Sequence, residues 1–232
     1  GEDIESCADD DFIESLLDIA VAIESIHAYS LVHDDLPCMD NDTYRRGELT
    51  VHAKFGETIG VLTGDALLNF AFETVFNSIK DNDTMIRYVN AGKILSFCAG
   101  SCGMIGGQVL DLDTEYLSNE NILKQMVRQK TCALIYGAGV AGAIIGGADT
   151  EYIESIEKFA LHLGMAFQMK DDLFDIVQDE KENKITLISK LTREEAESKI
   201  KYETNLAFSA IKNLKKTSDL QYFADCLMNR KH

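Results

Sequence analysis

A single proline, Pro37, is the feature that most restricts the fold of this chain of 232 residues. Soluble proteins contain roughly 5% proline, and proline breaks the interior of helices. A chain with so few breaks can form long helices, whereas an all-β sandwich is disfavoured. Apolar residues recur every three to five positions from Phe12 to Val32, which predicts the first helix.

The rest of the chain shows the same periodicity, and no segment is a convincing strand. Pro37 and the polar residues 41–50, which include Gly47, predict a loop after the first helix. Because we find no linker and no internal repeat, we expect one all-α domain over residues 1–232. Further helices are predicted over residues 57–79, 85–112, 121–145, 152–177, 193–214 and 218–230.

Glycines are concentrated in two of these helices, although an interior glycine costs roughly 1 kcal/mol relative to alanine. Close packing between helices or a phosphate-binding loop would explain them. Since neither a P-loop motif nor a strand-framed dinucleotide motif occurs, we favour close packing. The glycines are Gly100, Gly103, Gly106, Gly107, Gly137, Gly139, Gly142, Gly146 and Gly147.

The formal net charge of -17 disfavours binding to nucleic acid or to an anionic membrane surface. No stretch of about 18 uncharged apolar residues occurs, so we expect no membrane span. The acidic first residues do not resemble a secretory signal, and we expect a cytoplasmic protein. The six cysteines lack the spacing of a zinc site and are predicted to be reduced and mostly buried.

Two aspartate clusters follow apolar helical segments. Asp171 and Asp175 share one helical face, on which two oxygens can bind one cation. Asp34 and Asp40 meet only where the chain bends, and Pro37 gives a reason for a bend. Carboxylate ligands suit Mg²⁺ shared with substrate phosphates, whereas the alternative is two solvated acidic helix ends. The clusters consist of Asp34, Asp35 and Asp40, and of Asp171, Asp172 and Asp175.

Basic and amide side chains favour the first interpretation. Arg45 and Arg46 directly follow the first cluster and can each form bidentate bonds to phosphate. Lys130, Thr131 and Gln168 lie on helical faces that otherwise look like core. Each has an ordinary alternative. The two arginines could form surface ion pairs, Lys130 could extend along the helix to reach solvent, and Gln168 could be a hydrogen-bonded amide in the core. Together they indicate a site for a polyanion bridged by metal.

These residues carry a resemblance to a known family. The segment H-D-D-L-P-C-M-D-N-D-T-Y-R-R-G at 33–47, followed by L-T-G-D-A-L-L, resembles the first aspartate-rich region of trans-isoprenyl diphosphate synthases. The segments G-G-Q-V-L-D at 106–111, K-T at 130–131 and F-Q-M-K-D-D-L-F-D at 167–175 are similar to later motifs of that family, in the same order. The chain looks closest to its bacterial farnesyl diphosphate synthase branch.

The resemblance implies a bundle of antiparallel helices around a deep central cavity, a homodimer, and Mg²⁺ between the two clusters. It also implies head-to-tail condensation of isopentenyl diphosphate with dimethylallyl or geranyl diphosphate, which yields farnesyl diphosphate and pyrophosphate. Metal and basic groups would stabilise the departing pyrophosphate. The family's proton acceptor is thought to be that pyrophosphate, so no side-chain base is required.

The resemblance assigns roles to individual residues. Direct Mg²⁺ ligands would be Asp34, Asp35, Asp40 and Asp171, and ligands through water would be Asp111, Asp172 and Asp175. The allylic diphosphate would be bound by Arg45, Lys130 and Gln168, isopentenyl diphosphate by His27 and Arg46, and Thr131 would lie near the reacting carbons. Lys184 is matched only weakly to a substrate-binding lysine. The catalytic set would be Asp34, Asp35, Asp40, Arg45, Lys130, Thr131 and Asp171.

Product length is predicted from Tyr29 and Ser30, which precede Asp34 by five and four residues. A growing tail would run along the first helix, and Tyr29 lies about 7–8 Å further along it at 1.5 Å per residue. In the resembling branch an aromatic residue at this position accompanies a fifteen-carbon product. The alternative is that Tyr29 is simply part of the core.

Two departures from the family pattern bear on function. The family begins with further helices and a G-K-x-x-R-P stretch, and its loop after the second cluster is about ten residues longer. We therefore expect the full-length protein to exceed this chain. Competing functions are a geranyl or geranylgeranyl diphosphate synthase, a class I terpene cyclase, which the second cluster disfavours, and a non-catalytic helical partner of an active synthase.

Overall fold

Helices make up most of the structure, a computed structural model that describes residues 10–112, 118–182 and 185–230. The prediction of an all-α fold is confirmed, because each of the two described strands contains two residues. The elements are α1 Asp10–Asp34, β1 Tyr44–Arg45, β2 Glu48–Leu49, α2 Val51–Phe55, α3 Glu57–Asn77, α4 Asn82–Ala99, α5 Met104–Leu112, α6 Glu120–Val127, a π-helical turn Arg128–Cys132, α7 Ala133–Ile145, α8 Thr150–Glu182, α9 Arg193–Ile211 and α10 Ser218–Asn229.

The chain divides into two compact units, Gly1–Lys93 and Ile94–His232, so the single domain stays a prediction. In the first unit α1 packs along α3. An ideal Cβ on Gly64 would lie 2.0 Å from Nε2 of His33, so only glycine leaves room for this ring. The apolar core of this unit includes Ile19, Ala22, Ile26, Tyr29, Ala71 and Val75.

The predicted loop after α1 contains a small antiparallel hairpin. Tyr44 pairs with Leu49 and Arg45 pairs with Glu48. The two residues of the turn, Arg46 and Gly47, both have positive φ, 52° and 83°. Positive φ at both central positions is typical of the type I′ turn, whose twist matches that of paired strands. The sequence does not signal these strands because each is only two residues long.

The second unit is built around α8, a helix of 33 residues. It packs against α9 and α7, and its apolar residues join two clusters of buried side chains. Helix α9 starts with a capping box, in which Thr192 Oγ1 accepts from the Glu195 backbone and Glu195 accepts from the Thr192 backbone. The aspartate cluster of this unit lies on α8.

The predicted helix over residues 85–112 is two helices, because the chain turns at residues 100–103 between α4 and α5. An ideal Cβ on Gly103 would lie 1.9 Å from the carbonyl oxygen of Cys98, so this turn requires glycine. Gly137 and Gly139 do allow close packing, with Cys98 and Ile156 next to them. An ideal Cβ on Gly142 would meet nothing within 4 Å, so packing does not explain that glycine.

Three helical segments, Phe12–Asp34, Glu57–Asn77 and Thr84–Leu112, are long and apolar enough by length and composition to cross a membrane. This finding does not test whether any of them does so, and the absence of a membrane span stays a prediction. Of the five described cysteines, Cys98 and Cys132 are buried, and Cys38, Cys102 and Cys226 are exposed. The prediction of mostly buried thiols is therefore wrong, because Cys38 and Cys102 lie in turns and Cys226 lies on an exposed face of α10.

Candidate active site

The chain bends sharply after Asp34, the last residue of α1, as the spacing of the first cluster predicted. The backbone N–H of Asp40 donates to the carbonyl oxygen of Asp34 at 2.9 Å, and that of Asn41 donates to Leu36 at 3.1 Å. Asp34 is half-buried and Asp40 is exposed. The bend therefore brings the backbones of Asp34 and Asp40 together.

Asp35 is the buried carboxylate of this cluster, and Arg45 neutralises it. Nε and Nη2 of Arg45 lie 2.8 Å and 2.7 Å from the same oxygen, Oδ1. Arg45 also lies 3.5 Å from Asp42. The hydrogen bond to Asp35, and then the charges of Asp35, Asp42 and Asp34, raise the pKa of Arg45, although burial opposes this. A buried carboxylate is stable only with such a partner.

Arg46 does not act beside Arg45, although the two are adjacent in sequence. Arg45 lies in β1 and its side chain reaches back to Asp35, whereas Arg46 lies in the turn with an exposed side chain. The hairpin therefore gives the two residues different surroundings, because Arg45 is half-buried against Asp35 and Arg46 is exposed. The prediction that each binds a diphosphate stays a prediction.

Tyr29 is 5% exposed in α1. Its ring meets the edge of the His33 ring, with centroids 5.9 Å apart. Burial and then the charge of Asp34 raise the pKa of Tyr29. Nε2 of His33 is 3.0 Å from the carbonyl oxygen of Val61 in α3. A carbonyl oxygen only accepts, so in this hydrogen bond the N–H of Nε2 is the donor. Sequence reasoning missed His33 as a support for Tyr29.

His27 and Ser30 are half-buried on the same helix. The Ser30 hydroxyl donates to the carbonyl oxygen of His27 at 2.9 Å. This bond is local to α1, and it leaves the predicted substrate role of His27 untested.

In the second unit, the predicted site residues come together around the π-helical turn. Lys130 Nζ donates to Oδ2 of Asp111 at 2.5 Å. The Thr131 hydroxyl donates to Oε1 of Gln168 at 2.6 Å, and Nε2 of Gln168 donates to Oδ1 of Asp172 at 2.8 Å. Single π turns inside α-helices occur frequently at functional sites. Here the turn directs Lys130 to the Asp111 carboxylate and Thr131 to the Gln168 amide, which in turn donates to the Asp172 carboxylate.

Gly107 sets the distance between α5 and this turn. An ideal Cβ on Gly107 would lie 2.2 Å from the backbone nitrogen of Lys130 and 2.7 Å from its Cα. Any side chain would push the two backbones apart. Gly107 was read from the sequence as a packing glycine, but its contact with Lys130 could not be found from sequence.

Arg230 is a further site residue that sequence reasoning missed. It follows α10 and forms an ion pair with Asp171, the first carboxylate of the second cluster. The two residues are 59 positions apart, so no local pattern could reveal the contact. Asp172 is buried, Asp171 is half-buried and Asp175 is exposed. Lys184 lies outside the described residues, so its role stays a prediction.

Within the described part of the chain, no three His, Cys, Asp or Glu side chains converge as a metal centre. Mg²⁺ commonly binds one or two carboxylates and completes its shell with water and substrate phosphates, so the aspartates fit this ion. Two buried amide oxygens, Oε1 of Gln108 and Oε1 of Gln129, have no donor among the described residues.

Comparison with known proteins decides the family. The polyprenyl synthetase family model matches residues 4–196. The chain belongs to the polyprenyl synthetase family. The sequence-based identification of a trans-isoprenyl diphosphate synthase relative is thereby confirmed.

Members of the family with different products resemble this chain. Farnesyl diphosphate synthase of Bacillus subtilis (strain 168) is 35% identical over 230 residues, which cover 92% of this chain and 77% of that protein. Geranylgeranyl pyrophosphate synthase of Catharanthus roseus is 44% identical over 167 residues, which cover 70% of this chain and 46% of that protein. The chain thus spans about half the length of several curated relatives that it matches.

Solved polyprenyl synthetase structures have the same fold. An apo FPP/GFPP synthase from Zymomonas mobilis superposes with a TM-score of 0.84 at 35% identity, covering 92% of this chain and 76% of that one. A geranyltransferase from Helicobacter pylori, complexed with magnesium and isoprenyl diphosphate, gives a TM-score of 0.76 at 34% identity, covering 91% of this chain and 73% of that one.

Proposed function

We propose that the protein is a trans-prenyltransferase that joins isopentenyl diphosphate head-to-tail to dimethylallyl or geranyl diphosphate and releases pyrophosphate. One observation carries the proposal: the π turn places Lys130 on Asp111 and links Thr131 through Gln168 to Asp172. The family resemblance assigns Lys130 and Gln168 to the allylic diphosphate, Asp111 and Asp172 to its metal, and Thr131 to a position near the reacting carbons. Relatives named farnesyl and geranylgeranyl synthases support the reaction class.

Lys130 is suited to a diphosphate because its ammonium group has three donors, of which Asp111 takes one. Arg45 is similarly suited, since Nε and Nη2 hold Asp35, and within the described residues no hydrogen bond or ion pair of Nη1 is found. Both cations are fixed before substrate arrives. As the allylic bond breaks, negative charge develops on the pyrophosphate. Preorganised cations stabilise this charge without having to move first.

Aspartates of each cluster would hold Mg²⁺, and the Helicobacter pylori geranyltransferase was solved with this ion. When bound, Mg²⁺ supplies Lewis-acid stabilisation of the leaving group. In the first cluster the ligands would be Asp34, Asp35 and Asp40. In the second unit Asp171 would bind the ion directly, and Asp111, Asp172 and Asp175 would bind it through water.

We further propose that the main product is farnesyl diphosphate. Tyr29 supports this, because it precedes Asp34 by five residues on α1 and its buried ring, packed against His33, would block a tail that extends along the helix. A geranylgeranyl product is the alternative, since a relative named for that product is 44% identical to this chain over 167 residues. We also propose that the protein is a homodimer, as the family resemblance implies, and that it acts in the cytoplasm.

The test is incubation of the full-length protein with Mg²⁺, isopentenyl diphosphate and dimethylallyl diphosphate, followed by chromatography of the dephosphorylated alcohols. Farnesol as the main product is expected. A longer alcohol would retain the reaction and reject Tyr29 as the limit. If geranyl diphosphate also gives no product, the non-catalytic partner becomes the better interpretation. Lys130→Ala provides the inactive control. Lys158→Ala provides the matched surface control, because Lys158 is an exposed lysine on α8.

A further inference from the structure

The guanidinium group of Arg230 is fixed by contacts that do not involve a carboxylate. Nη1 donates to the carbonyl oxygen of Leu227 at 2.6 Å. Its Cζ lies 4.3 Å from the centroid of the Phe167 ring and 5.7 Å from that of Phe174. Both distances are within the range of favourable cation–π contact. The end of α10 and two aromatic rings therefore place this cation.

Asp171 lies between those two rings on α8. Phe167, Asp171 and Phe174 are four and three residues apart, so they form one stripe along the helix. Nη2 of Arg230 contacts Oδ1 of Asp171. No hydrogen bond or ion pair to Oδ2 of Asp171 is found within the described ranges. The arginine thus engages one oxygen and leaves the other oriented for a further partner.

We propose that Arg230 is a positioning residue for Asp171, which holds this carboxylate ready to bind the magnesium diphosphate. The inference rests on the proposed function, because it takes Asp171 as a metal ligand. Ligands of metal ions are commonly oriented by a hydrogen bond from a second residue, and loss of that residue typically weakens metal binding 10- to 100-fold. Arg230 fills that role from the C-terminal end of the chain.

The geometry favours joint binding over competition. If the metal displaced Arg230, the guanidinium group would lose both rings and the Leu227 carbonyl as well as Asp171. If the metal takes Oδ2, all of these contacts persist. The positive charge opposes a nearby cation, but the other carboxylates of the cluster and the diphosphate offset it.

Two substitutions separate positioning from charge. Arg230→Gln removes the charge and the stack, whereas Arg230→Lys keeps the charge but lacks the planar fork. Arg193→Gln is the matched control, because Arg193 is an exposed arginine whose partner Glu197 lies one turn away on α9. Isothermal titration calorimetry of the full-length protein with inorganic pyrophosphate, at several fixed Mg²⁺ concentrations, gives the Kd. Thermal unfolding in EDTA reports stability separately.

For Arg230→Gln we expect the Kd to rise about tenfold or more, with a smaller rise for Arg230→Lys and none for Arg193→Gln. An unchanged Kd in both Arg230 variants, even with a lower Tm, would reduce the contact to a structural role and overturn the proposal. Tighter binding in Arg230→Gln would also overturn it, since Arg230 would then compete with the metal. If the unsubstituted protein does not bind magnesium pyrophosphate, the proposed function itself fails.

Discussion

Gly107→Ala tests whether the approach of α5 to the π turn positions Lys130. The added Cβ would lie 2.2 Å from the Lys130 nitrogen, whereas ordinary contact begins at 3.4 Å, so the backbones must separate by about 1.2 Å. Overpacking costs roughly 1–3 kcal/mol, and the helix propensity of alanine returns about 1 kcal/mol. We expect a net loss of up to about 2 kcal/mol, or a Tm lower by about 4–8 °C.

Gly107→Ala should lower the rate of the reaction by more than partial unfolding of the variant would explain. A misplacement of about 1 Å can cost about 100-fold in rate, and the displaced group here is the cation that would bind the allylic diphosphate. Steady-state kinetics with dimethylallyl diphosphate and isopentenyl diphosphate should show a fall in kcat/KM of that order. The assay temperature is kept well below the Tm of the variant.

Gly142→Ala is the matched control, because its Cβ would meet nothing within 4 Å in another glycine-containing helix. It should raise stability by about 1 kcal/mol and leave the kinetics unchanged. If Gly107→Ala folds and retains the original kcat/KM, the close approach of α5 does not position Lys130, and the reasoning is refuted.

Three further predictions concern other parts of the molecule. Tyr29→Ala should shift the product from farnesol to longer alcohols after dephosphorylation, and an unchanged distribution would place the limit elsewhere. EDTA should abolish turnover and excess Mg²⁺ should restore it; turnover that persists in EDTA would count against a metal-dependent reaction. Burial raises the pKa of both Cys98 and Cys132 to about 12, so at pH 8 these thiols stay protonated. Brief alkylation followed by peptide mass spectrometry should modify Cys38 and spare both, whereas labelling of either without unfolding would contradict the burial.

Long helices were predictable because their signal is local and repeated. The predicted segment 193–214 corresponds to α9, Arg193–Ile211, and the segment 218–230 corresponds to α10, Ser218–Asn229. The break between α4 and α5 was not predicted, because apolar spacing continues across Gly103 and the turn shows only in three dimensions.

The candidate site was predictable to the extent that its residues lie in short motifs. Asp35 and Arg45 lie ten residues apart and were both selected, although the sequence did not show that they pair. Arg230 was missed because its partner Asp171 is distant in sequence and an arginine near a chain end has many ordinary explanations. Motifs therefore indicated the chemical groups, and only the fold showed which groups meet.

The π turn at Arg128–Cys132 also affects how this site can change in evolution. A π turn contains about one residue more than an α turn for a similar rotation. A point substitution leaves the number of residues unchanged, so regular α winding after a substitution would rotate the faces of α7 by about 100° away from their present neighbours. Deletion of one residue from the turn would restore regular winding and keep the faces of α7 in place, but it would change which side chains reach Asp111 and Gln168. We therefore expect lineages that lose this arrangement of Lys130 and Thr131 to do so by one deletion rather than by gradual substitution.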